Sequence, residues 1–322
     1  MSKTYLLTGA AGFIGARFAE SCTAQGIELI SVDRLDHFDR RPEHSKISFG
    51  TQIDRDSLFK FLSSKKISID AIIHLGACTN TFELDEVFLN RVNFEYTQKL
   101  WNIAREQEIP FVYASSAATY GAGEKGYNDD ESIFPKLKPL NPYGESKQKF
   151  DLWALDEEKA GRTPPAWSGF KFFNVYGFGE RHKGRMASVI LHSYDQILNH
   201  GTIQLFKSHR EGIQDGHQAR DFVAAEDVIR VLHFAAEKPI RRGIFNLGSG
   251  RARTFLDLAR ATFQSMGVNE EIEFIETPQV LRDRYQYFTE AKMQKLKAEG
   301  YTPSFTELEA GIRAYVERLK NP

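Results

Sequence analysis

The sequence is poor in cysteine. Only Cys22 and Cys78 occur among 322 residues, far apart and without metal-ligand spacing. That argues against a disulfide framework and against a cysteine-held metal, and no metal site is expected. Long apolar runs are absent too: none approaches the roughly 18–20 residues that a membrane helix needs. With a formal net charge of −1, the chain has no overall field to draw nucleic acid or an anionic surface. Met1-Ser2-Lys3-Thr4 leads straight into a strand-like stretch, without the order of a signal peptide. Internal repeats and low-complexity segments are also missing. These absences leave a soluble cytoplasmic protein with neither nucleic-acid nor membrane partners as the expectation.

What is present is alternation. Thr4–Leu7, Glu28–Val32, Ala71–His74 and Phe111–Ala114 are short apolar runs bounded by Gly, Asp or Pro, and they read as buried strands. Helical patterns lie between them near Phe13–Gln25, Asp56–Ser64 and Asp85–Glu108, and another runs from about Pro142 to Lys159 before a strand at Phe170–Asn174. Such alternation predicts an α/β fold, a Rossmann-type doubly wound parallel sheet. After Tyr176 the rhythm loosens, with an exposed loop at Lys207–Gln218 and strand–helix units at Asp221–Ala236 and Gly243–Leu247. Two closing helices are expected at Thr289–Glu299 and Phe305–Leu319. The later half reads as a smaller C-terminal mixed α/β lobe. Residues 1–177 with about 221–248 form the expected dinucleotide-binding domain, and about 178–220 with 249–322 the substrate lobe.

The first strand runs into Gly9-Ala10-Ala11-Gly12-Phe13-Ile14-Gly15 and then a helix. Glycines permit the tight turn and let backbone N–H groups approach a pyrophosphate at the helix N-terminus. The spacing is GxxGxxG, a weak signal alone but here in the required strand–turn–helix setting. Asp33 ends the second strand, where a carboxylate binds a ribose hydroxyl. The neighbouring Arg34, with Arg40, Arg41 and Arg55, can instead pair with a 2′-phosphate or stand as solvated charge. NAD and NADP both stay open on these residues.

Tyr113-Ala114-Ser115-Ser116-Ala117-Ala118-Thr119-Tyr120-Gly121 follows the fourth expected strand, and Asn141-Pro142-Tyr143-Gly144-Glu145-Ser146-Lys147 comes next. Tyr143 and Lys147 are spaced i, i+4 and share one helix face. A nearby ammonium favours the phenolate and so fits tyrosine for moving a proton during hydride transfer. With 12 tyrosines in the chain, a YxxxK proves little by chance; the order glycine loop, strand-end serines, Tyr and Lys carries the weight. Ser116 can hold a substrate oxygen beside Tyr143, or simply cap the strand end.

On these blocks, together with Phe173-Asn174-Val175-Tyr176-Gly177, His182-Lys183-Gly184-Arg185-Met186-Ala187-Ser188, Arg220-Asp221-Phe222-Val223 and Arg284-Tyr285-Gln286, the chain resembles extended short-chain dehydrogenases over nearly its whole length. The similarity is strongest to their nucleotide-sugar branch, and the His182–Ser188 block is most like enzymes that epimerise ADP-heptoses at C6. The resemblance implies a homo-oligomer, an ADP-heptose substrate and tightly held NADP, with Arg40 and Arg55 at the 2′-phosphate. It implies that Gly9, Gly12, Phe13, Ile14, Gly15, Asp33, Arg34, Leu75, Gly76, Ala77, Cys78, Asn93, Lys147 and Val175 hold the cofactor. Tyr143, Lys147 and Ser116 would serve one half-reaction and Lys183 the other. Asn174, Arg185, His192, Phe206, Arg220 and Tyr285 would join Ser116 and Lys183 at the substrate. Burial or the cations of Arg181, His182 and Arg185 can lower a lysine pKa toward such a role.

Two departures stand out. Phe178 takes the place of a usual proline, and Lys207–Gln218 is long. A 4,6-dehydratase on the same scaffold carries an Asp-Glu pair where this chain has Ala117-Ala118, and elimination of water needs that acid. A UDP-hexose 4-epimerase stays open. A cofactor sensor would have lost Tyr143 or Lys147.

Overall fold

The computed structural model describes residues 2–64, 67–238, 240, 242–282 and 285–321. Twelve strands follow in chain order among them. They are β1 (Thr4–Thr8), β2 (Glu28–Asp33), β3 (Thr51–Asp54), β4 (Ala71–His74), β5 (Phe111–Ser116) and β6 (Trp167–Phe172), then β7 (Asn174–Tyr176), β8 (Ile203–Phe206), β9 (Ala219–Ala224), β10 (Ile244–Leu247), β11 (Ala252–Thr254) and β12 (Ile272–Ile275). Seven form one sheet in the order β10-β6-β5-β4-β1-β2-β3, and all its pairings are parallel. This is the expected doubly wound sheet. Its central strands are apolar along their length because helices cover both faces; all four residues of β4 are buried.

The helices Phe13–Ala24 and Ala225–Glu237 pack together on one face. The helices Tyr96–Glu106 and Pro142–Lys159 cover the other. There Trp101 stands edge-on to Trp167 at 5.1 Å and to Trp153 at 5.7 Å. Connections from β1 run to β2 and β3 on one side, then to β4, β5 and β6 on the other. The reversal lies between β1 and β4, and a parallel sheet opens its ligand crevice at the carboxyl ends of such strands.

The second lobe has a three-stranded sheet, β11-β9-β7, and a two-stranded one, β12-β8. Its core gathers Tyr176, Ile190, Leu191, Tyr194, Phe222, Leu258, Ile312 and Tyr315. After β6 the chain passes from the large sheet to the small one within one residue. Phe173 donates its N–H to Leu247 O at 3.0 Å, inside the large sheet, and β7 then begins at Asn174 in the small one. The expected continuous strand Phe170–Asn174 is therefore divided.

Three further differences have physical causes. β3 has no counterpart among the expected strands because none of its four residues is buried, so no apolar run marks it. The helix expected over Asp85–Glu108 becomes Glu86–Leu89, a π-helical turn at Asn90–Glu95 and Tyr96–Glu106. Of the helix expected at Thr289–Glu299, only Gln294–Ala298 is helical. Its first residues run beside β9 instead: Thr289 Oγ1 accepts the Asp221 N–H at 3.2 Å, and Asp221 Oδ2 accepts the Ala291 N–H at 2.9 Å.

Candidate active site

The glycine loop closes on itself through Gly12 N–H to Gly9 O, 2.9 Å. Gly9 has φ +67°, and a Cβ there would lie 2.7 Å from Gly76 N; one at Gly15 would lie 2.0 Å from Gly9 O. Only glycine allows the turn and both close approaches. The helix Phe13–Ala24 begins with no side-chain cap and no acidic residue in its first turn. Its first N–H groups thus face the crevice as anion donors, which fits a dinucleotide pyrophosphate. Asp33 ends β2 beside the loop and accepts Ala11 N–H at 3.1 Å, with His37 Nδ1 3.0 Å from its other oxygen.

A cleft of about 1210 Å³ runs from this cradle to the second lobe. Gly9, Gly12, Phe13, Ile14, Gly15, Asp33, Arg55, Leu75, Gly76, Ala77, Cys78, Lys147 and Val175 all line it. Arg34 and Arg40 do not: both turn outward onto Asp36, at 3.1 and 3.0 Å. Arg41 lines the cleft instead, its guanidinium donating to Ala11 O. Asn93 also stands behind the wall. It accepts Cys78 N–H at 2.8 Å and donates to Cys78 O at 3.0 Å and to Ser146 Oγ at 2.9 Å. The π turn, where such bulges often mark functional positions, aims that amide.

Ser116 ends β5, and its Oγ accepts Ala118 N–H at 3.1 Å. Asn141 caps the helix Pro142–Lys159 by accepting Gly144 N–H at 2.8 Å, which fixes the turn that presents Tyr143. Tyr143 and Lys147 are both buried and share the cleft wall with Ser116. Burial pushes the Tyr143 phenol upward, while a hydrogen bond with Ser116 pulls it down. Burial lowers the Lys147 ammonium to about 8, against the pull of the Asp151 carboxylate. Its Nζ donates to Ala114 O at 2.9 Å. Behind it His74 bridges Thr8 Oγ1 at 2.6 Å and Thr97 Oγ1 at 2.9 Å. Burial holds that imidazole neutral, down to about 3.

From the opposite lobe, Lys183 and Arg185 reach the same cleft. They ride on the short 3-10 stretch Arg181–Met186, in which Gly184 adopts φ 53°, ψ −126°. Lys183 Nζ lies 5.3 Å from the Phe13 ring centre, and burial lowers its pKa against the pull of Glu180. Glu180, fully buried, accepts Ser188 N–H at 2.7 Å and Tyr315 O–H at 3.0 Å. Arg185 lies over Phe82 at 4.4 Å, so the stretch touches the loop after β4.

The remaining expected substrate residues lie beyond the cleft. Asn174 is exposed and His192 half-buried. Phe206 and Tyr285 rings stand 6.4 Å apart, and the Arg220 guanidinium lies 5.4 Å over Tyr285. Arg220 is buried and its guanidinium donates to Ala219 O at 3.0 Å. Burial lowers its pKa, and the group suits an anionic ligand. Arg284 falls outside the described residues.

Residues 5–248 match the NAD dependent epimerase/dehydratase family. The chain belongs to that family. A nicotinamide cofactor comes with membership. The chain is similar to the ADP-L-glycero-D-manno-heptose-6-epimerase of Fusobacterium nucleatum, 45% identical over 97% of this chain and 96% of that one. The enzyme of the same name from Nitratidesulfovibrio vulgaris is 42% identical, over 98% and 97%. Among solved structures, the Helicobacter pylori ADP-L-glycero-D-manno-heptose-6-epimerase superimposes with a TM-score of 0.81 at 26% identity, covering 100% of this chain and 97% of that one.

Within this epimerase/dehydratase scaffold, some important groups carry no local signal. His37 joins Asp33 only because the short helix Leu35–Asp39 turns back. Glu180 gains its partners from residues 8 and 135 positions away. Arg41 is one of four candidate arginines, and spacing cannot rank them. The 117–120 turn contributes no acid to the cleft wall, in keeping with Ala117-Ala118.

Proposed function

We propose that the chain converts ADP-D-glycero-D-manno-heptose to ADP-L-glycero-D-manno-heptose by epimerisation at C6, with tightly bound NADP. The observation that carries this reading is that Tyr143 and Lys183 face one cleft from opposite lobes. A reaction that removes hydrogen from one face of a carbon and returns it to the other needs a proton-transfer group for each substrate orientation.

The nicotinamide cofactor, when bound, takes up and gives back the C6 hydrogen. Tyr143 accepts the C6 hydroxyl proton while Ser116 holds the oxygen and the Lys147 ammonium favours the phenolate. The 6-keto sugar turns within the cleft, and Lys183 returns a proton to the oxygen as the opposite face is reduced. No net redox change results. In the same proposal Arg185, Arg220 and the Phe206–Tyr285 pair serve the diphosphate and base, and Asn174 and His192 add further substrate contacts.

Arg41 and Arg55 support NADP, since both line the cleft near Asp33; mass spectrometry of the cofactor released on denaturation tests this. In this proposal residues 1–177 with about 221–248 hold the cofactor, and about 178–220 with 249–322 hold the nucleotide sugar. The homo-oligomer belongs to the same proposal and is tested by light scattering. The cytoplasm fits two free cysteines; no helix among the described residues is long and apolar enough to cross a membrane.

The decisive experiment is proton NMR of the D-glycero substrate with purified protein and no added cofactor. Appearance of the L-glycero epimer, lost in Tyr143→Phe with Lys183→Met, supports the reading. An unchanged spectrum with folded, NADP-supplied protein sinks it and directs the search to UDP-hexoses.

A further inference from the structure

Beneath the Ser116 wall lies a pair of charges that the mechanism above does not use. Lys171 on β6 and Asp151 on the helix Pro142–Lys159 are both fully buried, with Nζ 2.5 Å from Oδ2. Neither lines the cleft. Asp151 Oδ2 also accepts Ser115 O–H at 2.7 Å, and its Oδ1 accepts Tyr113 O–H at 3.0 Å. Lys171 donates to Thr119 Oγ1 at 2.8 Å, and Thr119 donates to Ser116 O at 2.8 Å. The pair therefore ties the catalytic helix, β5, β6 and the turn behind Ser116 into one unit.

Stability does not call for such a pair, since apolar residues of similar volume often replace a buried ion pair at no loss. Its placement points elsewhere. Asp151 follows Lys147 by one helical turn and Tyr143 by two, so backbone spacing alone makes its Coulomb energy about twice as large at the lysine as at the tyrosine.

We propose that the Asp151–Lys171 pair is a positioning unit for Lys147: Asp151 sustains the ammonium next to Tyr143, and Lys171 fixes that carboxylate and offsets its charge toward Tyr143. The assignment rests on the acid/base reading of Tyr143 and Lys147. The groups facing Asp151 are Lys147 on its own helix, Tyr113 and Ser115 on β5 and Lys171 on β6; Lys147 is itself faced by His74 on β4 and by Cys78 in the loop after it. Beyond Lys171 stand Tyr120, whose ring centre is 5.4 Å from Nζ, and the charges of Asp129 and Lys295.

The test is a lysine titration in ¹³C-lysine-labelled holoenzyme, with the Lys147 signal assigned through Lys147→Arg. The parent midpoint is expected near 8. Asp151→Asn lowers it by a unit or more, Lys171→Met raises it, and Lys171→Arg restores it. The alkaline limb of the epimerisation rate moves in the same direction, with kcat changing and KM for the nucleotide sugar held within about twofold. The double variant Asp151→Leu with Lys171→Met decides the matter if either single variant fails to fold; its Lys147 midpoint falls because the nearer charge is the carboxylate. A midpoint equal to the parent's in folded Asp151→Asn or in the double variant overturns the assignment. The titration needs no substrate. A parent enzyme that leaves ADP-heptose unchanged would refute the proposed reaction, while the Lys147 midpoints would still decide the role of the pair.

Discussion

Tyr143 and Lys147 stand on an 18-residue helix, whereas Lys183 stands on six residues of 3-10 turn with none fully buried. The first side is held by a closed web: Asn93 to Cys78 and Ser146, Lys147 to Ala114, Asp151 to β5 and β6. The second is held through side chains: Glu180 grips Ser188 and Tyr315, Arg181 pairs with Asp195 at 3.0 Å, and His182 lies 3.4 Å from Glu43, with Gly184 among them. One proton-transfer group is thus built in before ligand arrives. The other sits on a shorter, more exposed stretch with a glycine in left-handed territory. A glycine within a short exposed stretch is a usual property of segments that adjust to a ligand.

The comparison breaks first on the groups themselves. Tyr143→Phe is expected to slow epimerisation about 10²–10⁴-fold, the usual worth of a positioned acid/base. Lys183→Met is expected to do similar damage, because each turnover needs both faces. NMR rates measure both. Melting should separate them: Lys183→Met leaves Tm within about a degree, since methionine keeps a flexible apolar stem beside Phe13.

Protonation sharpens the contrast on the rigid side. Folding lowers Lys147 from its ordinary 10.5 to about 8, so the unfolded chain binds the extra proton between those values. The cost to stability is full below pH 8 and fades as pH rises toward 10.5, a gain of roughly 3 kcal/mol from this one group. Thermal melts of parent and Lys147→Met across that range should show a rise that the variant lacks. Equal slopes would mean that Lys147 is not desolvated.

Two smaller changes probe each support. Ser115→Ala removes one donor from the buried Asp151 and should cost about 1–3 kcal/mol, read as a Tm loss of a few degrees. Gly184→Ala meets no atom within 4 Å but must hold a backbone angle that alanine avoids, worth about 1–3 kcal/mol locally. It should raise KM or lower kcat up to about tenfold while Tm barely moves. A large Tm loss there would show that the segment is part of the rigid body.

The cradle and the Tyr–Lys pair are legible in the sequence because each lies within a few residues of chain and follows a strand whose apolar run is unmistakable. The sheet is legible for the same reason, except at β3, where an edge strand has nothing to bury. What spacing cannot reveal is arrangement across distance. The family resemblance points to Arg40, yet the Leu35–Asp39 helix turns it onto Asp36 and leaves the cleft to Arg41. Asn93 has the position of a cofactor contact, but its amide serves Cys78 and the catalytic helix. The helix expected from Thr289 gives way to the claims of Asp221 on Ala291 and of Thr289 on Asp221, from a strand about 70 residues earlier.

The late return of β10 bears on how the protein is made. β6 ends at Phe172, and its outer neighbour is completed only at Leu247. At about 5–20 residues per second, synthesis leaves that strand edge unpaired for about 4–15 s. Throughout that interval the nascent chain carries a template for pairing with another chain. A chain ending before Ile244 should therefore accumulate in the insoluble fraction, while the full chain stays in the supernatant.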